Sequence, residues 1–529
     1  MVTIETVDND YNEYEGLSAS VFDIDLLRSY YSPGNLQLGK IKTTAKLIAD
    51  QYLRFCSLEN RDVTSKWNEH TVKLTEVLCQ WLHPFAGRWI WTPDEYQQTQ
   101  SQWKLQQKYK ACAIEIFRAV KQIMAYMYPE FDNIDTQYVL ESIAIYMLPD
   151  DPWCTKQSSE LALEIFESYS TILDVESNGK LILTDTLRPT FKSAKHRDVS
   201  AAGRKSTSRE HELKTGFDID ADETWTTQKP ESASLLHFVL ANVEERFISE
   251  NWSIIVPSVL VIIDEADPSF KARGCLILEV LISRCNRGMV LATGLAPVFW
   301  DACMSCLSYL PLSSSAVTTE QSLKLLDKAY TALFMLADIR SRDTKSRTVT
   351  FSSTAVQDQA VDQRKAERER ARYLSTVLVD GIYNGLRLCS EQVMITNLLV
   401  AKLGAAATQM GVYFVPNLQE VMSILVNNLS EPFGYVYPPL LLTTLDTVDI
   451  VMRETAPRGL RYRFLLLKGL TRCWKQICEG ESSLNSVREH LRSTAGKLRS
   501  LCDQLEDNDY DTAVEALIQM ESVYKQLLR

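Results

Sequence analysis

The chain has 529 residues, of which 45% are hydrophobic and 23% charged, with a formal net charge of −12. That length and apolar content exclude a peptide-sized or disulfide-stapled fold, and the acidic balance argues against sequence-independent nucleic-acid binding, which needs Lys and Arg in excess over carboxylates. The apolar stretch Ile254 to Ile263 is about half a membrane span and is broken by Pro257 and Ser258, so no transmembrane helix is expected.

At the N-terminus, Glu5, Asp8, Asp10, Glu13 and Glu15 stand where a signal or transit peptide carries Arg, Lys and an apolar core. A cytoplasmic and nuclear location is expected, and the cysteines, set mostly in apolar helix-like contexts, read as thiols of a reducing compartment. Gly34 to Lys40 then matches the first seven positions of a phosphate-binding loop. Ile41 stands where that loop needs a Ser or Thr hydroxyl for Mg²⁺, and the preceding Tyr30-Tyr-Ser-Pro is not a buried strand, so the site is chemically incomplete.

The aromatic cluster Trp81, His83, Phe85, Trp89, Ile90 and Trp91 reads either as a packed corner between helices or as a peptide-binding hot spot. Neither His70 nor His83 has a partner at metal-ligand spacing. Tyr109, Ala113, Ile116, Val120, Ile123 and Met127 step by 4, 3, 4, 3, 4, which predicts an amphipathic helix. From Arg188 to Glu231 the chain is rich in Ser, Thr, Lys, Arg and Asp, a basic half preceding an acidic one. It reads as a flexible insert, with Ser206 and Ser208 as candidate phosphorylation sites.

Trp252 to Ile263 predicts an apolar helix interrupted by Pro257, followed by the polar turn Asp264 to Asp267 and a second helix from Pro268 to about Cys285. Asp267 suits the cap and Pro268 the first helical position, where no N–H is needed; Lys271 and Arg273 follow, and Gly274 lets paired helices approach closely. This is the layout of a HEAT repeat. The same residues, Val259 to Asp267, spell the apolar run and Asp-Glu-Ala-Asp of a helicase ATPase, with Leu291-Ala-Thr-Gly294 downstream. Against a strand stand Pro257 and Pro268, which bracket the run. Cys303-Met-Ser-Cys306 lacks a second pair to complete a zinc site and reads as two core thiols on one helix face.

Leu323, Leu326, Tyr330, Leu333 and Ala337 step by 3, 4, 3, 4, another amphipathic helix. A second polar insert follows at 341–361, and charges on all sides of Asp362 to Arg372 suggest an exposed helical entry or continued linker. Pro416 opens a looser echo of the repeat, with a helix from Leu418 to Leu429, a turn from Ser430 to Gly434 and a helix around Pro439 to Arg453. Tyr435 and Tyr437 beside Pro438 and Pro439 pose the same choice as the Trp81 cluster. Leu460, Phe464, Leu467, Leu470, Trp474 and Ile477 predict one buried stripe.

The class is therefore all-α, a HEAT-like solenoid with two polar inserts and room for roughly ten helix pairs. The expected division is an N-terminal helical region 1–187, an insert 188–231, repeats 232–340, an insert 341–361 and repeats 362–529. No catalytic constellation, cofactor site or metal site emerges.

Val256 to Gly274, then Phe299 to Leu310 with Pro311 after it, and Thr318 to Tyr330 resemble the Tel-two-interacting protein two family, the smallest HEAT-like subunit of the Triple-T (TTT) complex. The resemblance is most specific over residues 233 to 340, and extends by type through Pro416 to Ile477. It implies a non-enzymatic scaffold that binds Tel-two-interacting protein one, through the C-terminal array, and Tel-two. It further implies a co-chaperone role for phosphatidylinositol-kinase-related kinases, working with the ninety-kilodalton heat-shock chaperone and its adaptor. TOR signalling, the DNA-damage response and telomere maintenance would depend on it. The alternatives are a generic HEAT-repeat adaptor and an ATPase using Lys40 with Asp264 and Glu265.

Overall fold

The computed structural model describes residues 22–32, 35–56, 65–92, 100–128, 135–191, 203–205, 224–312, 316–342, 355–479, 484–504 and 508–528. The acidic N-terminal residues, Gly34, Ser206, Ser208 and most of both polar inserts lie outside them. The described residues are almost entirely helical, apart from one antiparallel pairing of Tyr31–Ser32 with Asn35–Leu36. They fall into two compact units divided after Val261, inside the Trp252–Asp264 helix, with residues 203–205 of the first insert counted in the second unit.

In the first unit the Leu38–Cys56 and Gln100–Met127 helices pack along each other. No Gly or Pro interrupts residues 100–127, and all six apolar positions from Tyr109 to Met127 are buried, as their spacing requires. The Trp225–Gln228, Ser232–Asn242 and Glu245–Glu250 helices, which follow the first polar insert, also belong to this unit. Ser234 Oγ donates to Asp151 Oδ2 at 2.5 Å, Phe238 meets Phe166 edge-on at 5.2 Å, and Val239 and Phe247 close on Gly179. The edges of the insert are ordered as well: Trp225 of the Trp225–Gln228 helix stacks edge-on against Phe191 at 5.2 Å, and Thr227 accepts from Gly87 N at 2.7 Å. A polar stretch interrupts the chain without interrupting the core.

In the second unit the Thr319–Arg342 helix packs against Pro268–Arg284, Ala296–Cys306, Ala355–Thr376 and Val393–Met410. Surrounded on several sides, it buries Leu325, Ala329, Ala332 and Leu336 as well as the predicted stripe, of which Leu323 is only half-buried. This helix and Ala355–Thr376 reach into the predicted insert 341–361, and Asp338 pairs with Arg287, Arg342 and Arg370 at 3.1, 3.2 and 3.6 Å.

The last helices stack in two layers. Val393–Met410 packs on Pro438–Thr455, which packs on Asn485–Asp503; Leu418–Ser430 packs on Arg463–Glu479. Contact between each helix and the next but one is the arrangement of an all-α helical solenoid. Val393–Ser430 is apolar and long enough for a membrane span by composition, yet the Gly411–Asn417 3₁₀ turn with Pro416 breaks it. Its Leu399, Leu403, Leu425 and Leu429 are core residues. Phe464 departs from the predicted stripe and is 43% exposed. The 3₁₀ turn Arg458–Tyr462 intervenes between Leu460 and the helix, so a spacing of four across it does not keep the α-helical phase.

Candidate functional site

The residues singled out around Asp267 form a helix-pair corner. The Trp252–Asp264 helix runs through Pro257 without a break in its helical span, and Ser258 Oγ, next to the missing N–H, donates to Ile254 O at 2.9 Å. After Glu265 and Ala266, Asp267 adopts an extended backbone and its carboxylate accepts from Ser269 N at 2.7 Å, with Pro268 in the first helical turn. These are the capping interactions that its residue types allow.

Two residues of the second helix fasten the end of the first. Lys271 is 5% exposed; its Nζ donates to Ile263 O at 2.7 Å and lies 5.2 Å from the centre of the Tyr309 ring. A cation there satisfies a terminal carbonyl and complements the negative end of the helix dipole. A Cβ at Gly274 would stand 2.7 Å from Ile263 N, so only glycine permits this approach. Arg273 is also buried, while Asp264 is the last helical residue and Glu265 Oε1 accepts from Ala266 N at 3.0 Å.

The ATPase-like residues do not take up the strand and loop that such a site is built on. Val259 to Ile263 is helix rather than strand, and Lys40 lies inside the Leu38–Cys56 helix with its Nζ 5.3 Å from the Tyr30 ring centre.

Cys303 and Cys306 are buried on one helix, as expected, but Cys275 from the Pro268–Arg284 helix joins them, with its Sγ 4.0 Å from that of Cys306. Thiol–thiol hydrogen bonds, to Cys303 for Cys275 and to Cys275 for Cys306, together with burial, push both thiols well above their ordinary range. They are therefore protonated and unreactive as nucleophiles at neutral pH. Among the described residues no group of three or more His, Cys, Asp or Glu could hold a metal ion.

The Trp81 cluster is a packed corner. Trp81, Trp89 and Ile90 are buried, Trp89 and Trp91 meet Trp153 edge-on at 5.6 and 6.1 Å, and Tyr109 and Tyr146 both donate to Leu82 O, at 2.6 and 2.9 Å. His83 has partners that spacing did not disclose: its Nε2 is 3.2 Å from Ser142 Oγ and its Nδ1 is 3.6 Å from Glu231 Oε1. The three types are those of a nucleophilic triad, but Ser142 is fully buried within a helix and its hydroxyl donates to Tyr138 O at 2.8 Å. A substrate carbonyl has no path to it.

The second aromatic corner is different. Pro438 begins the Pro438–Thr455 helix, and the turn before it leaves Phe433, Tyr435 and Val436 exposed. Exposed aromatic corners on a helical array suit protein contacts.

The model of the Tti2 family matches residues 139–436, which spans the Asp267 corner, the thiol cluster and the first turns of the C-terminal solenoid, and reaches well into the N-terminal half. With more than half of its length so matched, the chain belongs to the Tti2 family.

Proposed function

We propose that the chain is a non-enzymatic scaffold subunit of the TTT complex, joined to Tel-two-interacting protein one and Tel-two. In that complex it would act as a co-chaperone for phosphatidylinositol-kinase-related kinases, together with the ninety-kilodalton heat-shock chaperone and its adaptor. The observation that carries this reading is the family match over residues 139–436, and membership supports a subunit role in the TTT complex in general. A helical array offering side chains along several helix faces is suited to binding other repeat proteins. Work in the cytoplasm and nucleus is part of the proposal and fits twelve cysteines none of which forms a disulfide.

The test is purification of the tagged chain from cells, with mass spectrometry of what accompanies it and kinase abundance after its depletion. Recovery of both partner subunits and loss of several related kinases is expected. Unrelated cargo with unchanged kinase levels would replace this reading with a generic adaptor. ATP turnover that disappears in Lys40→Ala and Glu265→Gln would replace it with an enzyme.

A further inference from the structure

Between Glu454 and Glu479 the chain carries Arg458, Arg461, Arg463, Lys468, Arg472 and Lys475 and no carboxylate, in a protein of net charge −12. Arg458 and Arg461 lie on the 3₁₀ turn Arg458–Tyr462, Lys468 and Arg472 on the Arg463–Glu479 helix, and all four are exposed. On the Arg463–Glu479 helix Leu465, Lys468 and Arg472 follow one another at intervals of 3 and 4, so they form a row opposite the buried Leu467, Leu470 and Trp474, and Arg458 and Arg461 stand on the 3₁₀ turn that leads into it.

Neighbouring cations have partners: Arg453 with Glu454 at 2.9 Å, Lys475 with Glu521 at 2.7 Å and Lys497 with Asp449 at 2.5 Å. Among the described residues, Arg458, Arg461, Lys468 and Arg472 have no carboxylate within ion-pair distance. The first turn of the helix holds no acidic residue, so Arg463 at its start opposes the dipole without a compensating carboxylate there.

Apolar surface lies beside these cations. Phe464 is 43% exposed, with the Arg463 guanidinium 4.3 Å from its ring centre. The Gly434–Val436 turn packs on the same helix, whose Gln476 Nε2 donates to Ser430 O at 3.3 Å, and Phe433 and Val436 there are 69% and 70% exposed.

We infer that this row docks an acidic amphipathic helix of a partner subunit. Carboxylates four residues apart on that helix meet Lys468 and Arg472, and its apolar side chains cover Phe464. From Leu465 to Arg472 the row runs about 10 Å and is one side chain wide, which matches two turns of a helix and is too narrow for a bilayer surface. The inference rests on the scaffold reading above and assigns it a surface.

The test uses the full chain co-expressed with the two partner subunits, as wild type, Lys468→Glu/Arg472→Glu and Phe464→Ser. Thermal melts of wild type and the charge-reversed variant should agree, because Lys468 and Arg472 are exposed. Charge reversal is expected to weaken assembly by at least about tenfold, and Phe464→Ser by a smaller factor. Wild-type affinity should fall between about 50 and about 300 mM salt more steeply than that of the reversed variant. Wild-type assembly matched by the reversed variant would overturn the docking row and leave the scaffold reading standing. No assembly by wild type would overturn both. A row-dependent affinity for phosphatidylserine vesicles or duplex DNA, with assembly unaffected, would replace the partner helix by an anionic lipid or nucleic acid.

Discussion

Lys271 Nζ lies 2.7 Å from the carbonyl oxygen of Ile263, so a buried cation from one helix closes the end of the helix before it. The bond bridges the polar turn of the pair, and both groups are shielded from water. Removing the ammonium while keeping the stem leaves a buried carbonyl without that donor. Lys271→Met should therefore lower stability by about 2 kcal/mol in urea denaturation. A variant as stable as wild type would show that water reaches the carbonyl.

Gly274 and Gly496 should respond to alanine with opposite signs. A Cβ at Gly274 meets Ile263 backbone at 2.7 Å, and backbone cannot swing aside, so Gly274→Ala is expected to cost about 1–3 kcal/mol and Gly274→Leu more. Gly496 is exposed in the Asn485–Asp503 helix with nothing within 4 Å of its Cβ position. There the better helix propensity of alanine should raise stability by roughly 0.5–1 kcal/mol. Parallel melts decide the matter, and a Gly274→Ala melt equal to wild type would sink the close-packed pair.

Asp327 gives the acid side of the stability curve a definite sign. Burial alone would raise its carboxyl, but Lys402 Nζ at 2.7 Å, with Lys328 adding, outweighs that and holds it below the usual range. A depressed carboxyl in the folded state stabilises above its unfolded value and ceases to do so as pH falls through the folded value. The difference in Tm between wild type and Asp327→Asn should stay constant from about pH 7 to about pH 5 and close towards about pH 3. A difference that persists at the acid end would point to packing instead.

The buried thiols predict a labelling order. Burial pushes the thiols of Cys79 and Cys473 up to about 12 and that of Cys112 to about 11, so little thiolate is present at neutral pH. Cys56 and Cys478 are only partly buried. Iodoacetamide applied to the native protein at about pH 8 should modify Cys56 and Cys478 first and reach the other three only as the chain unfolds. Peptide mass spectrometry reads the order, and early modification of Cys79 would contradict its burial.

Much of the fold was legible because helical packing leaves a periodic record. The spacing from Tyr109 to Met127 marks the buried side of one long helix, and Asp267 and Pro268 mark the start of another by local chemistry alone. Helix ends expected at Leu429 and Arg453 fall at Ser430 and Thr455. Phe464 was misplaced because a 3₁₀ turn changes the phase without altering the apolar pattern.

Composition, periodicity and caps thus determined by themselves that this is an acidic all-α protein built from helix pairs, since each of those signals arises within one or two helical turns. Tertiary structure alone decided that Cys275 joins Cys303 and Cys306, that His83 meets Ser142 and Glu231, and that the helices between Trp225 and Glu250 complete the N-terminal unit. It also decided which cations of the C-terminal array find carboxylates and which do not. Those relationships join residues dozens of positions apart, and the distance between two such side chains depends on how whole helices pack, which no local pattern encodes.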